Sequence, residues 1–438
     1  MEEVQRHQKV IGKTAGLLLV LVIYLSFFSI YGGSLIDRIF FADDIFDEGT
    51  TIGPEKVDEM TSYASAKLLN NRIEDWEKRA VITLKYAEKE VTMNNSLISF
   101  QVEQSVREAA DGRQNPLLAS VSPDELKEEL TRKMPVLQTE GRIDLETVAG
   151  DISDIGDYLK SGESVVDLSL YLSEGEKSAK LAEVTADGLD SAAESFVKAN
   201  PILPVKANMS VSFNSWAEAA GGKMGEESLN ILASSLYQLV LKTNFNIMEK
   251  NQSNALPDDI ELGYEARVEQ TKEQDFVFFN PNGEAYTINW TASNGELRVS
   301  LTGVPFYYTY KTELRNKKTL HPKTVLHFSP ELPYGEMQVE QYGEDGSMVD
   351  VYRSQFEGSQ KLGSEQIAAD FYPPVHQIEL YSSQEPPPPP EPEETDEETD
   401  QDASSEAEDN TEEESQNEDQ TDGDDSSSAE ENSTENEQ

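Results

Sequence analysis

The sequence predicts an α+β chain with an N-terminal transmembrane helix, two α+β extracellular domains, a C-terminal β module and a disordered acidic tail. Three observations carry this expectation. Thr14 to Ile36 is an unbroken run of 23 uncharged residues. Helix and strand signals then mix without strict alternation to about residue 305, and strand signals cut by Pro and Gly follow to about residue 382.

The apolar run centres on Leu17-Leu18-Leu19-Val20-Leu21-Val22-Ile23. At about 1.5 Å per residue it can cross a hydrocarbon core of roughly 30 Å. Arg6, His7, Lys9 and Lys13 precede it, which predicts a cytoplasmic segment 1–13, a single pass through the cell membrane over 14–36, and the bulk of the chain outside. A cleaved signal peptide competes, but its apolar region spans about 7 to 15 residues and ends in an Ala-x-Ala-like site. Here the run is longer and offers only Gly32-Gly33-Ser34.

Residues 45–175 are expected to form the first α+β domain. Pro54 opens a helical spacing through Val57, Met60, Tyr63, Ala64, Lys67 and Leu68, and Ser122-Pro123-Asp124-Glu125 is a second helix start. Ala80–Tyr86, Leu97–Val102 and Val165–Leu172 carry strand patterns. In residues 180–305, a helix over Leu189–Ala199 must end before Pro201. Another, from about Glu226 to Thr243, places Leu229, Leu232, Ala233, Leu236, Tyr237 and Val240 on one face. Phe276–Phe279, Ala285–Trp290 and Leu297–Leu301, joined by Asn280-Pro281-Asn282-Gly283 and Asn294-Gly295, predict a β-meander. Residues 306–382 begin with the alternating Phe306-Tyr307-Tyr308-Thr309-Tyr310 and predict a small, mostly antiparallel module. Residues 383–438 open with the run Pro386 to Pro390 and continue without large apolar side chains, so they cannot offset the entropy of ordering.

Eighty-four acids against 35 bases give a net charge of −49, of which 23 acids fall in the 48 residues from Glu391 to Gln438. The rest of the chain still carries −26. This balance excludes nucleic acid as a partner, because phosphate neutralisation needs Lys and Arg. It excludes polybasic attachment to lipid for the same reason. The absence of cysteine removes disulfides, thiol nucleophiles and Cys-ligated zinc or iron–sulfur centres. His7, His321, His327 and His376 are scattered, no phosphate, calcium or serine-nucleophile motif is present, and neither a metal nor another cofactor is expected.

Several blocks together resemble the VanW domain. They are Ala192-Ala193, Val211-Ser212-Phe213-Asn214, Ala233-Ser234-Ser235-Leu236-Tyr237, Glu249-Lys250-Asn251-Gln252-Ser253 and Gly263-Tyr264-Glu265-Ala266-Arg267-Val268. Upstream, Val106-Arg107-Glu108-Ala109-Ala110-Asp111-Gly112-Arg113 resembles the peptidoglycan-binding-like domain that often precedes VanW domains in anchored Gram-positive proteins. Downstream, Leu332-Pro333-Tyr334-Gly335-Glu336, Asp350-Val351-Tyr352-Arg353 and Phe371-Tyr372-Pro373-Pro374-Val375 resemble a wall-associated β module named for its five glycines. The departures are specific. Asn230 and Ile231 stand where VanW relatives have Cys-Gln, and Lys250 and Gln252 stand where they have two histidines. Any chemistry that used that thiol and imidazole is lost here.

The resemblance implies a non-enzymatic, membrane-anchored envelope protein that contacts peptidoglycan or another wall polymer, with Trp216, Tyr237, Asn251 and Trp290 as candidate glycan contacts. An alternative is a scaffold or regulator that binds envelope enzymes through a degenerate VanW-like domain. A third reading is a wall hydrolase using carboxylate pairs such as Asp43-Asp44 or Asp258-Asp259.

Overall fold

The computed structural model describes residues 45–139, 141–221 and 224–388. The apolar run 14–36 and the acidic tail beyond residue 388 lie outside them. Among the described residues no helix is long and apolar enough to cross a membrane. The described residues up to Gln384 belong to one unit. Of the second unit, residues 385–388 are described and carry no regular secondary structure.

The first region contains β1 (Thr51–Ile52), β2 (Glu55–Lys56), α1 (Ser62–Glu77), β3 (Val81–Tyr86), β4 (Lys89–Thr92), β5 (Ile98–Phe100), α2 (Val102–Glu108), β6 (Gln114–Asn115), β7 (Ala119–Val121), α3 (Pro123–Lys133), α4 (Leu145–Asp157) and β8 (Glu163–Asp167). Its sheets run β2-β1-β6, β4-β3-β8 and β5-β7. Leu69, Ile73 and Trp76 of α1 meet Ile82 and Leu84 of β3, Leu126 and Leu130 of α3, and Val148 and Ile152 of α4 in one core. The first helix begins later than its apolar spacing predicts. Gly53, at φ 58°, turns β1 into β2 with Pro54 beside it. Thr61 then supplies the N-cap oxygen to the Ala64 amide. Ser122 caps α3 as expected. The strand expected to Leu172 stops at Asp167, whose carboxylate accepts from the Ser169 amide and hydroxyl and turns residues 168–171 into a 3₁₀ helix.

The second region comprises α5 (Glu174–Lys177), β9 (Ala179–Ala186), α6 (Ser191–Ala199), β10 (Ile202–Val205), β11 (Ser210–Ser212), α7 (Phe213–Ala219), α8 (Glu226–Val240), β12 (Asn246–Glu249), β13 (Val277–Phe279), β14 (Tyr286–Ser293) and β15 (Glu296–Gly303). α8 is buried on every side, with all of Ser228 to Tyr237 inside. Its sequence shows one apolar face, yet Ser234, Ser235 and Asn230 on the others are also enclosed because each bonds to backbone. β14 and β15 form the expected hairpin over Asn294 and Gly295, at φ 55° and 80°. β13 does not join them. It pairs with β11 and β12, while β10-β14-β15-β9 form a separate antiparallel sheet. The meander fails at Asn280, whose amide donates to the Lys206 and Glu284 carbonyls and turns the chain from one sheet to the other.

The C-terminal module contains β16 (Thr309–Leu320), β17 (Thr324–Ser329), β18 (Met337–Gln341), β19 (Gly346–Glu357), β20 (Gln360–Tyr372) and β21 (Gln377–Ser382). They form two sheets of three strands, β16-β19-β20 and β17-β21-β18, with β17 and β21 parallel. The first sheet packs Val349, Val351 and Tyr372 into the core of the second region. Arg353 fixes the contact by donating from Nη1 to the Thr243 and Phe245 carbonyls at 3.0 and 2.6 Å. The second sheet leaves Leu326, Phe328 and Met337 more than half exposed.

Candidate functional site

A cleft of about 850 Å³ opens where the three regions meet. Its walls are β9, the C-terminal end of α8, Glu261 and Tyr264, the connector Pro305–Tyr308, the start of β16, and Arg142 from the first region. The connector supplies its rings because alternation in Phe306-Tyr307-Tyr308-Thr309-Tyr310 turns Tyr307 into the first core and leaves Phe306, Tyr308 and Tyr310 partly open.

Those rings are held. Phe306 stacks on Tyr286 at 5.3 Å and meets the edge of Tyr310 at 6.2 Å. Tyr308 stands perpendicular to Tyr307 at 5.0 Å. Behind them Glu88, in the turn between β3 and β4, accepts from the Tyr307 amide at 2.9 Å and the Tyr310 hydroxyl at 3.3 Å. Burial pushes the Glu88 carboxyl above the usual carboxylate range, against the pull of those two bonds.

The charge of the cleft opposes that of the chain. Arg142, Lys180, Lys242 and Lys311 line it against Glu183 and Glu261. Arg142 pairs with Glu176 at 2.7 Å, Lys180 with Glu183 at 3.0 Å, and Lys242 donates to the Glu183 carbonyl at 2.8 Å. Burial holds Lys242 below the usual lysine range, with Glu183 opposing it. Flat rings beside fixed cations suit a polar, ring-shaped ligand carrying negative charge.

The residues singled out from sequence do not line this cleft. Tyr237 is 0% and Trp290 1% exposed, so neither offers a ring face to a sugar. As packing residues they have clear partners: Trp290 stacks on Trp216 at 5.4 Å, and Tyr237 meets the edge of Phe276 at 5.7 Å. Trp216 keeps part of its surface open. Asn251 donates to Glu249 and to the Asp275 carbonyl. Asn230 and Asn251 are tied to adjacent residues, Val268 and Arg267. They hold one extended segment: Asn230 Oδ1 accepts from the Val268 amide at 2.8 Å, and the Asn251 carbonyl accepts from the Arg267 amide at 2.8 Å. Ile231 is in the core. Lys250 and Gln252 reach β20, bonding Asp370 and the Phe371 carbonyl. His321 and His327 lie beside single carboxylates, His376 accepts from the Lys323 amide, and no cluster of three or more metal-ligating side chains exists among the described residues.

The alternation in Phe306-Tyr307-Tyr308-Thr309-Tyr310 predicts only a strand, so the sequence does not single out the connector. The density of aromatics at a boundary between regions was the available signal.

A family model for the G5 domain matches residues 311–381. Residues 311–381 are a G5 domain. Two solved structures resemble the chain. The G5 domain of an IgA1 protease is 18% identical, with 18% of this chain and 92% of that one covered and a TM-score of 0.17. The HP0197-G5 structure is 19% identical, with 17% and 96% covered and a TM-score of 0.14. No curated protein matches the sequence. The G5 domain therefore begins at the lip of the cleft, with Lys311 and Thr312 in both.

Proposed function

We propose that the chain is a non-enzymatic cell-envelope protein that grips a wall glycan, peptidoglycan or an anionic wall polymer, in the cleft between its G5 domain and the rest of the chain. The cleft carries this reading: two partly open aromatic rings on the connector and a third, Tyr310, at the start of β16, beside cations in an otherwise acidic protein. G5 domains are typically carbohydrate- or cell-wall-binding, which supports the same ligand class. Phe306 and Tyr308 would stack on the apolar faces of sugar rings, and Lys180, Lys242 and Lys311 would meet carboxylates or phosphates. In this reading residues 14–36 anchor the protein in the membrane with its bulk outside, and residues 180–305 are a VanW-like domain. Its altered positions Asn230, Lys250 and Gln252 hold structure through bonds to neighbouring segments, which supports a role without catalysis.

The full chain in detergent micelles, mixed with purified wall sacculi and sedimented, tests the proposal. Retention that weakens as salt rises is expected, since the cleft cations are largely exposed to screening. Retention no greater than that of an unrelated acidic protein overturns it. The alternative, a scaffold for envelope enzymes, predicts instead that crosslinking in intact cells returns synthases or sensor kinases.

A further inference from the structure

A second constellation lies between β12 and the first G5 sheet, apart from the cleft. Lys250 follows β12, and Asp370 lies on β20, 120 residues along the chain. Lys250 Nζ is 2.5 Å from Asp370 Oδ1, and the two side chains are only 9% and 2% exposed. Nζ also sits 5.4 Å from the centroid of the Tyr237 ring, so an aromatic face replaces water around it. Asp370 Oδ2 is buried without a hydrogen-bond partner, as is the Tyr237 hydroxyl. Beside them Glu265, 0% exposed, accepts from the Ser253 amide at 3.0 Å and from the hydroxyl of Tyr372 at 2.6 Å. Burial pushes the Asp370 carboxyl up, Lys250 opposes the shift, and the charge on Glu265 adds to it.

Such a pair has two forms of equal net charge, ammonium with carboxylate and amine with carboxylic acid. Desolvation favours the neutral one. Held at contact distance and screened from water, an amine and an acid are in the arrangement that intramolecular condensation requires.

We propose that Lys250 and Asp370 condense to an intramolecular amide that covalently ties the second region to the G5 domain. A proton passes from Nζ to the Asp370 carboxyl. The freed lone pair attacks Cγ, forming the N–C bond. Oδ1, which Nζ contacts and which carries the transferred proton, then departs with the C–O electron pair, takes up a second proton and leaves as water, while Oδ2 stays as the amide oxygen. The proton lost from the nitrogen supplies it, so the products are one amide and one water, with no oxidant or activated carrier. Glu265 is a positioning residue that acts through Asp370, because its nearby charge favours the carboxylic acid over the carboxylate.

Mass spectrometry of the full-length chain tests the bond. The wild type is expected to be lighter than its sequence by one water. Trypsin should release a branched peptide joining residues 243–267, uncut at Lys250, to the peptide that begins at Leu362. Lys250→Arg keeps the buried cation but cannot form the amide, and should give separate peptides at full mass. Glu265→Gln should leave most molecules unlinked while the far-ultraviolet circular dichroism is unchanged. Separate full-mass peptides from the wild type overturn the proposal, as does a water loss that persists in Lys250→Arg.

Discussion

Asn230 illustrates what a single side chain decides in this protein. One turn apart on α8, Asn230 and Ser234 accept from the amides of Val268 and Ala266, so a buried helix reads alternate backbone donors of the neighbouring segment. A thiol is a weak acceptor and could not hold the Val268 amide as well. Asn230→Ala leaves that donor unsatisfied and should cost about 1–3 kcal/mol in urea unfolding; an unchanged midpoint would refute the role. Glu88 gives a pH signature. Its carboxyl is raised in the fold, so its contribution is fully present below the ordinary value of 4.5 and is lost as pH rises through the folded value. Glu88→Gln removes this titration and keeps an acceptor for Tyr307 and Tyr310. Its stability relative to wild type should therefore climb between about pH 4.5 and pH 7. A difference flat across that range would show that Glu88 does not titrate as described.

Elements show where sequence was sufficient and where it was not. Local chemistry was legible: Ser122 before Pro123 started α3, and Asn294-Gly295 made the β14–β15 hairpin. Partnership was not, because the alternation in Phe276–Phe279 fits any sheet edge. β13 found β11 and β12, tens of residues upstream, instead of its neighbour β14. Asp190, the N-cap of α6, accepts from the Ala193 amide at 2.7 Å, and this bond holds its carboxyl below the usual range. Its stabilisation is present above pH 3.8, the ordinary value, and is lost as pH falls through the folded value. Asp190→Ala should cost about 1 kcal/mol near neutrality and progressively less in strong acid, which thermal melts at several pH values can follow. Gly263, at φ 93°, lies where the G5 sheet docks, and a Cβ there would meet Leu314 Cδ2 at 2.7 Å. Gly263→Ala should loosen the G5 domain, seen as faster amide exchange in β16 and β19 with β3 unaffected; equal exchange would contradict it.

On the scale of the whole molecule, the cleft opens where separate cores touch. Val304 and Tyr307 belong to the first core, and Val349, Val351 and Tyr372 to the second, so the chain passes from one core to the other as it enters the G5 domain. The −49 conceals this, because four cations sit together in one cleft assembled from residues 142 to 312. The sequence shows the run of aromatics at 306–310 but not its meeting with the lysines, since the walls come from segments far apart in the chain. It chose Tyr237 and Trp290 for their chemistry, and the fold placed both inside. The most direct test is the affinity of the full-length protein for soluble, purified wall fragments, compared between Tyr308→Ala and Phe328→Ala. Phe328 is an exposed aromatic on the second G5 sheet, away from the cleft. The cleft account predicts about tenfold weaker binding or worse for Tyr308→Ala and no change for Phe328→Ala. Equal affinity in the two variants, or a loss confined to Phe328→Ala, would contradict it.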